Sequence, residues 1–179
     1  RAVNKTIELR KRPREMPIRD INDVEAMSRL HTEARFKLEV PQRIADAFVA
    51  EVLASEGSEA ALADSIATLA IEAGRSIDGD SDALTATVRR PETTINSDFP
   101  AGKSNRRPFH WPLEYPEVFS CLHPGFDAIV GNPPFMGGRL IGRSLGLKYQ
   151  EYLKNIRNSV AGSPDFCAYF FLRAFQLTT

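Results

Sequence analysis

Residues 125–138 read Gly-Phe-Asp-Ala-Ile-Val-Gly-Asn-Pro-Pro-Phe-Met-Gly-Gly, and this stretch decides the fold that we predict. Its first half, residues 126–130, is a short apolar run with β-branched residues, which predicts one buried strand of a parallel sheet. Its second half is a rigid polar turn, because Gly131 permits a close backbone approach while Pro133 and Pro134 fix φ. Ligands of open α/β sheets bind at the carboxyl ends of strands, so we expect the turn to lie at a binding site.

The turn Asn132-Pro133-Pro134-Phe135 carries groups that are suited to holding a flat amine. The Asn132 side-chain oxygen and the Pro133 main-chain carbonyl are two acceptors for the two hydrogens of an NH2 group. Such an amine is a poor nucleophile because its lone pair is delocalised, and these hydrogen bonds draw the lone pair out of the ring plane. Phe135 offers a flat apolar face for stacking on a substrate such as a flipped base. The turn therefore predicts methylation of an exocyclic or amide nitrogen.

The composition, 42% hydrophobic and 26% charged over 179 residues, is that of an ordinary soluble globular domain. No apolar run approaches the roughly 18–20 residues of a membrane span, so no membrane partner is expected. Cys121 and Cys167 are far apart in the chain and belong to no Cys/His cluster. We therefore expect no metal site, and the cysteine pattern suits a reducing compartment such as the cytoplasm. Because the first residue is Arg1 and not Met, we expect this chain to be part of a longer protein.

The net charge is zero, but it is unevenly distributed. Residues 1–19 sum to +5, residues 20–82 to −9 and residues 83–179 to +4. A polyanion would be attracted by both ends of the chain and repelled by its middle. Pro13 and Pro17 predict that the basic residues 1–19 form an extended segment, which either contacts phosphate or serves only as a connector.

Apolar periodicity predicts three helices in the first half of the chain. The first covers residues 22–39, the second begins near Pro41, and the third is capped by Ser58 and ends just before Gly74. Residues 78–82 resemble the start of a calcium loop, but glycine and glutamate are missing at its sixth and twelfth positions. We interpret them as an acidic turn.

The second half is less regular. Residues 84–102 predict loops with one short element, and the three prolines of residues 108–119 predict an ordered, mostly extended segment. Gly138, Gly142 and Gly146 fall four residues apart, which indicates close backbone approach or a mobile loop. A helix is predicted over residues 145–156, and a last helix follows an N-cap at Ser163, with Pro164 as its first residue.

Three segments in order resemble the large N6-adenine-specific DNA methyltransferases of the type II restriction–modification and phage-defence group. Residues 126–135 resemble the Asn-Pro-Pro-aromatic catalytic motif of S-adenosylmethionine-dependent amino-methyltransferases. Residues 109–119, Phe-His-Trp-Pro-Leu-Glu-Tyr-Pro-Glu-Val-Phe, resemble the segment before that motif. Residues 165–171 resemble the Asp-Leu-Tyr-x-x-Phe helix that follows it, with Phe-Cys in place of Leu-Tyr. Phe135 replaces the commoner tyrosine.

This resemblance implies a fragment of a class I, Rossmann-like α/β fold, mostly helical in this piece with few strands. It implies S-adenosylmethionine as the methyl donor and the N6 atom of an adenine flipped out of DNA as the acceptor. It assigns Asn132, Pro133, Pro134 and Phe135 as catalytic residues, and Asn132 and Phe135 also bind the substrate. For Asp165 the resemblance implies only a structural role or a position at the edge of the site.

We divide the chain into a helical connector or insertion region, residues 1–107, and the catalytic-motif part of the methyltransferase domain, residues 108–179. The glycines of residues 1–124 stand alone, so we expect the glycine-rich cofactor loop and a target-recognition domain in the remainder of the parent methyltransferase. The cofactor-binding residues therefore stay unassigned, and the isolated chain is expected to be inactive.

Two other functions stay open. Related amino-methyltransferases use the same turn on protein glutamine or on RNA guanine, although residues 108–119 favour DNA adenine. A non-catalytic helical interaction module is the second alternative, and it predicts that Asn132→Ala leaves the function unchanged.

Overall fold

The computed structural model describes residues 2–100, 102, 105–156 and 162–179, which form helices and a single β-bridge. The chain divides into two compact units, Arg1–Arg43 with Phe109–Pro124 and Ile44–Pro108 with Gly125–Thr179. None of the described helices is long and apolar enough to cross a membrane. The helices are α1 (Ala2–Glu15), α2 (Ile21–Lys37), α3 (Glu39–Ala54), α4 (Glu59–Ile77), α5 (Ser81–Thr94), α6 (Trp111–Glu114), α7 (Pro116–Phe119), α8 (Gly138–Leu145), α9 (Leu147–Ile156) and α10 (Phe166–Leu177).

In the first unit, α1 packs against α2, which corrects the prediction of an extended segment over residues 1–19. Pro13 lies in the last turn of α1. A proline inside a helix costs about 3 kcal/mol, because it lacks the N–H donor and clashes with the preceding turn. Burial offsets this cost, since Leu9 is 2% exposed and Thr6 is fully buried, with its hydroxyl 3.4 Å from the Ala34 carbonyl.

The prolines of residues 108–119 exclude a long helix, as predicted, but the segment is not mostly extended. It forms the two short helices α6 and α7, each with a proline in its first turn. Glu117 of α7 accepts a hydrogen bond of 2.8 Å from Arg14, and the Arg10 guanidinium lies 3.7 Å from the same carboxylate. Two arginines of the basic N-terminal segment are thus held by α7 within this unit.

The three helices predicted between residues 22 and 77 are confirmed as α2, α3 and α4. Ser58 is the N-cap of α4, and its hydroxyl accepts from the Ala61 N–H at 3.4 Å. Gly74 does not end this helix, which continues to Ile77. Gly74 does not adopt the positive φ of a glycine that ends a helix, so the helical conformation continues through it.

The prediction of loops over residues 84–102 is wrong for most of the segment, because α5 occupies Ser81–Thr94. Asp80 of the predicted acidic turn is the N-cap of this helix. Pro91 lies in its last turn, and the helix packs against α4 through the buried Thr87, whose hydroxyl lies 3.3 Å from that of Ser76. Threonine and proline have low helix propensity, so packing against α4 decides this helix.

The last three helices belong to the second unit and share a core of Ile141, Leu153 and Phe166. The helix predicted over residues 145–156 is confirmed as α9, and α8 precedes it. The close approach predicted for the glycine series is confirmed at Gly138, where a Cβ would lie 2.5 Å from two carbonyl oxygens of the chain entering α10. The N-cap of α10 is Asp165, not Ser163, so Pro164 precedes the helix.

The predicted buried strand over residues 126–130 is wrong for this chain. Phe126 alone is paired, in an isolated parallel bridge with Thr178. Ile129 is 40% exposed and Val130 is 99% exposed. A parallel strand needs neighbouring strands for its backbone groups and covering helices for both faces. The described part of the chain supplies only the pairing with the residues after α10.

Candidate functional site

The segment that carries the Asn-Pro-Pro-Phe turn is fixed at both ends by α10. On its C-terminal side the Met136 N–H donates to the Asp165 carboxylate at 3.1 Å. The Phe166 N–H donates to the Met136 carbonyl at 2.8 Å. Met136 also packs against the core residue Phe166. The turn is therefore anchored at the N-terminus of α10.

The other end of the segment is anchored at the C-terminus of the same helix. The Phe126 N–H donates to the Leu177 carbonyl at 2.8 Å, and the Thr179 N–H donates to the Phe126 carbonyl at 3.2 Å. A residue with a Cβ at position 125 would meet the Thr179 backbone nitrogen at 2.9 Å, so Gly125 permits this pairing. Its φ of +147° also lies in the region that glycine prefers.

Residues 127–135 bridge the two anchors along a helix of twelve residues. Such a helix is about 18 Å long, whereas ten residues of extended chain reach about 33 Å. The bridging segment therefore has slack, and all of residues 127–135 except the half-buried Pro133 are exposed. This geometry presents the turn to solvent while both of its ends stay fixed.

The structure places the four predicted site residues together on this segment. Asn132 and Pro134 are exposed, Pro133 is half-buried, and Phe135 is 78% exposed. Within the described part of the chain, no hydrogen-bond partner contacts the Asn132 side chain. Its amide oxygen is available to accept from a ligand, and the exposed Phe135 ring is available for stacking.

Asp165 has a positioning role at the edge of the turn. One oxygen of its carboxylate accepts from the Cys167 N–H at 3.0 Å and from the Met136 N–H at 3.1 Å. The Cys167 N–H and then the Met136 N–H lower the pKa of Asp165 by stabilising its ionised form. Asp165 therefore stays ionised and joins the turn to the start of α10.

The helices after the turn are held by Arg106, which the sequence did not single out. Its guanidinium donates to the carbonyls of Ile95 and Leu145 and to the Asp98 carboxylate, the last at 2.8 Å. Asp98 also accepts from the Lys148 N–H at 2.6 Å. Burial alone would raise the pKa of Asp98, but the Arg106 guanidinium and the Lys148 N–H outweigh it and lower that pKa. No apolar periodicity or motif marks either partner of this ion pair.

The second unit contains a cavity that none of the turn residues 132–135 lines. This cavity of about 180 Å³ lies between α3, α4 and α9, and Leu53, Gly57, Lys148 and Tyr152 are among its lining residues. Gly57 has a φ of +89° and follows the end of α3. Gly57 is the one glycine among the described residues that line this cavity, so the cavity has no glycine-rich loop for a cofactor.

Comparison with known proteins identifies the family of this chain. The model of the Eco57I restriction-modification methylase family matches residues 55–179, which include the turn and α4 to α10. Searches of curated proteins and of solved structures found no match. The family match covers well over half of the chain and both anchors of the turn. The chain therefore belongs to the Eco57I restriction-modification methylase family.

Proposed function

We propose that this chain holds the target amine in an adenine-N6 DNA methyltransferase. Membership of the family gives the general function, which is that of a DNA methyltransferase of a restriction–modification system. The observation that supports adenine N6 as the target is the exposed Asn132 amide, which has no hydrogen-bond partner among the described residues. It lies on a segment that α10 anchors at both ends.

The chemistry follows from the groups that the turn presents. The Asn132 side-chain oxygen and the Pro133 carbonyl accept the two N–H hydrogens of adenine and orient its lone pair, while Phe135 stacks on the flipped base. Methylases of this family typically use S-adenosylmethionine, which supplies an electrophilic methyl group when bound. The amine becomes acidic only after methylation, so the turn needs no strong base. The Asp165 carboxylate accepts hydrogen bonds from two backbone N–H groups, so in this proposal it positions the turn and is not needed as a base.

For the fold we propose a class I, Rossmann-like methyltransferase domain. Its support is the parallel bridge between Phe126 and Thr178, with α8, α9 and α10 lying between the two residues in sequence. Parallel pairing requires a crossover connection of this kind, as in a βαβ unit. The isolated bridge is not a strand in this chain, and the proposal requires neighbouring strands of the parent domain to extend it, which would set the turn at the sheet edge where α/β enzymes bind ligands.

The cofactor cradle is proposed to lie outside residues 1–179, in the remainder of the parent methyltransferase, as does a target-recognition domain. The support is the scatter of the glycines before the turn. Gly57 and Gly79 follow helix ends with positive φ, and Gly74 lies inside α4. None of these glycines belongs to a glycine-rich series.

Substitution of Asn132 tests the proposed function. The full protein that contains this chain is incubated with unmethylated DNA and S-adenosylmethionine, and N6-methyladenine is measured by mass spectrometry of the nucleosides. Asn132→Ala is expected to lower methylation by about a hundredfold or more, as loss of a transition-state hydrogen-bond partner does. Asn4→Ala, which changes an exposed asparagine of α1, is the matched control and is expected to leave the rate unchanged.

Each alternative function has its own outcome in this experiment. Methyl groups recovered on RNA guanine or protein glutamine, and not on DNA, would indicate a related amino-methyltransferase. Full activity of Asn132→Ala would favour the non-catalytic module. Circular dichroism of both variants separates loss of chemistry from loss of folding.

A further inference from the structure

Helix α8, which begins three residues after Phe135, has two clearly different faces. One face packs against α9. The Gln150 side chain donates to the Gly138 carbonyl at 3.2 Å, Ile141 is 2% exposed, and a Cβ on Gly142 would lie 2.6 Å from Gln150. The helix therefore turns its glycines and Ile141 towards its neighbour, and its orientation relative to the turn is fixed.

The opposite face presents Arg139 and Arg143 to solvent, one helical turn apart. Among the described residues neither arginine has a carboxylate within ion-pair distance. Other cations of this unit are partly neutralised: Lys148 lies 3.7 Å from Glu56, and Lys154 lies 2.9 Å from Glu151. Two uncompensated positive charges thus stand directly after the turn.

We propose that Arg139 and Arg143 bind backbone phosphates of the DNA strand that carries the target adenine. This inference rests on the proposed function, because it places the same DNA on the neighbouring helix. An extruded base leaves its sugar-phosphate chain at the mouth of the site, and guanidinium groups bind phosphate through forked hydrogen bonds. Two arginines on one side of a fixed helix contact that chain independently of the sequence around the adenine.

The charge of α8 itself agrees with a polyanionic partner, because the helix carries two arginines and no acidic residue. Leu140 lies between the two arginines in sequence and is 51% exposed, so this face of α8 is open over the length of the helix. A contact at this face adds affinity and register for DNA but no discrimination between bases.

The salt dependence of DNA binding tests the proposal. The full protein that contains this chain is compared with its Arg139→Ala/Arg143→Ala variant by fluorescence anisotropy on a labelled duplex at several salt concentrations. Each lost phosphate contact reduces the slope of log K against log salt by about 1, so the double variant is expected to reduce it by about 2. Affinity is expected to fall about tenfold on cognate and unrelated duplexes alike.

The control variants isolate the role of charge. Arg89→Ala removes an exposed arginine of α5 and is expected to leave the slope unchanged. Arg139→Lys/Arg143→Lys keeps both charges and is expected to restore most of the slope. In steady-state methylation the alanine variant is expected to raise KM for DNA and to leave kcat nearly unchanged, whereas Asn132→Ala lowers kcat.

The outcomes separate this inference from the proposed function. An unchanged salt slope in the double alanine variant, in a protein that methylates adenine, would overturn the phosphate contact alone. A reduced slope together with full activity of Asn132→Ala would overturn the proposed function alone. Binding to RNA but not to duplex DNA would also refute the inference.

Discussion

At the scale of single residues, the turn depends on a carboxylate that holds its backbone in place. Asp165 uses one oxygen for both the helix cap at Cys167 and the backbone of Met136. Because the two bonds share an acceptor, loss of that acceptor loosens the helix start and the turn together. The same residue therefore links the fold of α10 to the geometry at Asn132.

Asp165→Ala is expected to increase hydrogen exchange at Met136 and Cys167, because both amides lose their acceptor, while amides in α2 stay protected. Asp165→Asn keeps an oxygen acceptor and is the control, so its exchange should lie near that of the unchanged protein. Hydrogen-exchange mass spectrometry or NMR measures this. Equal protection in the alanine variant would contradict the anchoring role.

The pH dependence of this anchor follows from the lowered pKa of Asp165. A carboxylate with a lower pKa in the folded state stabilises that state above its unfolded pKa of about 3.9. The contribution is lost as the pH falls through the folded value. Protection of Met136 is therefore expected to persist at pH 5 and to fall in part in more acidic solution, since the protonated acid keeps one neutral oxygen acceptor, and Asp165→Asn should remove this local dependence.

Two glycines give opposite expectations for the same substitution. Gly138→Ala places a Cβ 2.5 Å from backbone carbonyl oxygens and is expected to destabilise the protein by about 1–3 kcal/mol through overpacking. Gly74→Ala fills open space inside α4 and is expected to stabilise it by about 1 kcal/mol through helix propensity. Urea unfolding followed by circular dichroism measures both, and a stabilising Gly138→Ala would contradict the close packing at α8.

At the scale of helices and strands, the sequence predicted those elements whose signals are local. Caps and apolar periodicity located α2, α4 and α9, and the proline turn located the candidate site. Helices α1 and α5 were not predicted, because Pro13 and Pro91 are residues that usually break helices. Only tertiary burial offsets the free-energy cost of a proline inside a helix. The strand over residues 126–130 was predicted from composition, but its burial depends on partners that composition does not reveal.

The contacts of Arg106 could not be predicted, since its guanidinium also reaches Leu145, which is 39 residues away in sequence. Arg106→Ala removes the guanidinium that serves two carbonyls and leaves Asp98 without its partner in a site where both side chains are mostly buried. The loss is expected to cost about 3–5 kcal/mol of unfolding free energy. Arg75→Ala, at an exposed ion pair with Asp80, should cost under about 1 kcal/mol. Chemical denaturation measures both, and equal losses would contradict the special position of Arg106.

At the scale of the whole molecule, the apolar groups around the candidate site are turned outward. Val130 is 99% exposed, Phe135 78%, and Phe171 and Phe175 of α10 are 66% and 80% exposed. Large apolar side chains that are exposed together in a patch mark a site of interaction. The strands and helices of the proposed methyltransferase domain would cover residues 126–130 and α10, and Phe135 would be covered by the base.

The proposed separation of the amine-holding turn from the cofactor cradle leads to the last prediction. Residues 1–179 expressed alone are expected to bind no S-adenosylmethionine by calorimetry and to transfer no methyl group to DNA, because the turn alone provides no cradle. The chain and its Asn132→Ala variant should therefore be indistinguishable in this assay, although they differ in the full protein. Micromolar binding of S-adenosylmethionine by the chain alone would show that described residues form the cradle. That result would require a cofactor loop without clustered glycines, and it would leave the role of Asn132 to be judged by the full-protein experiment.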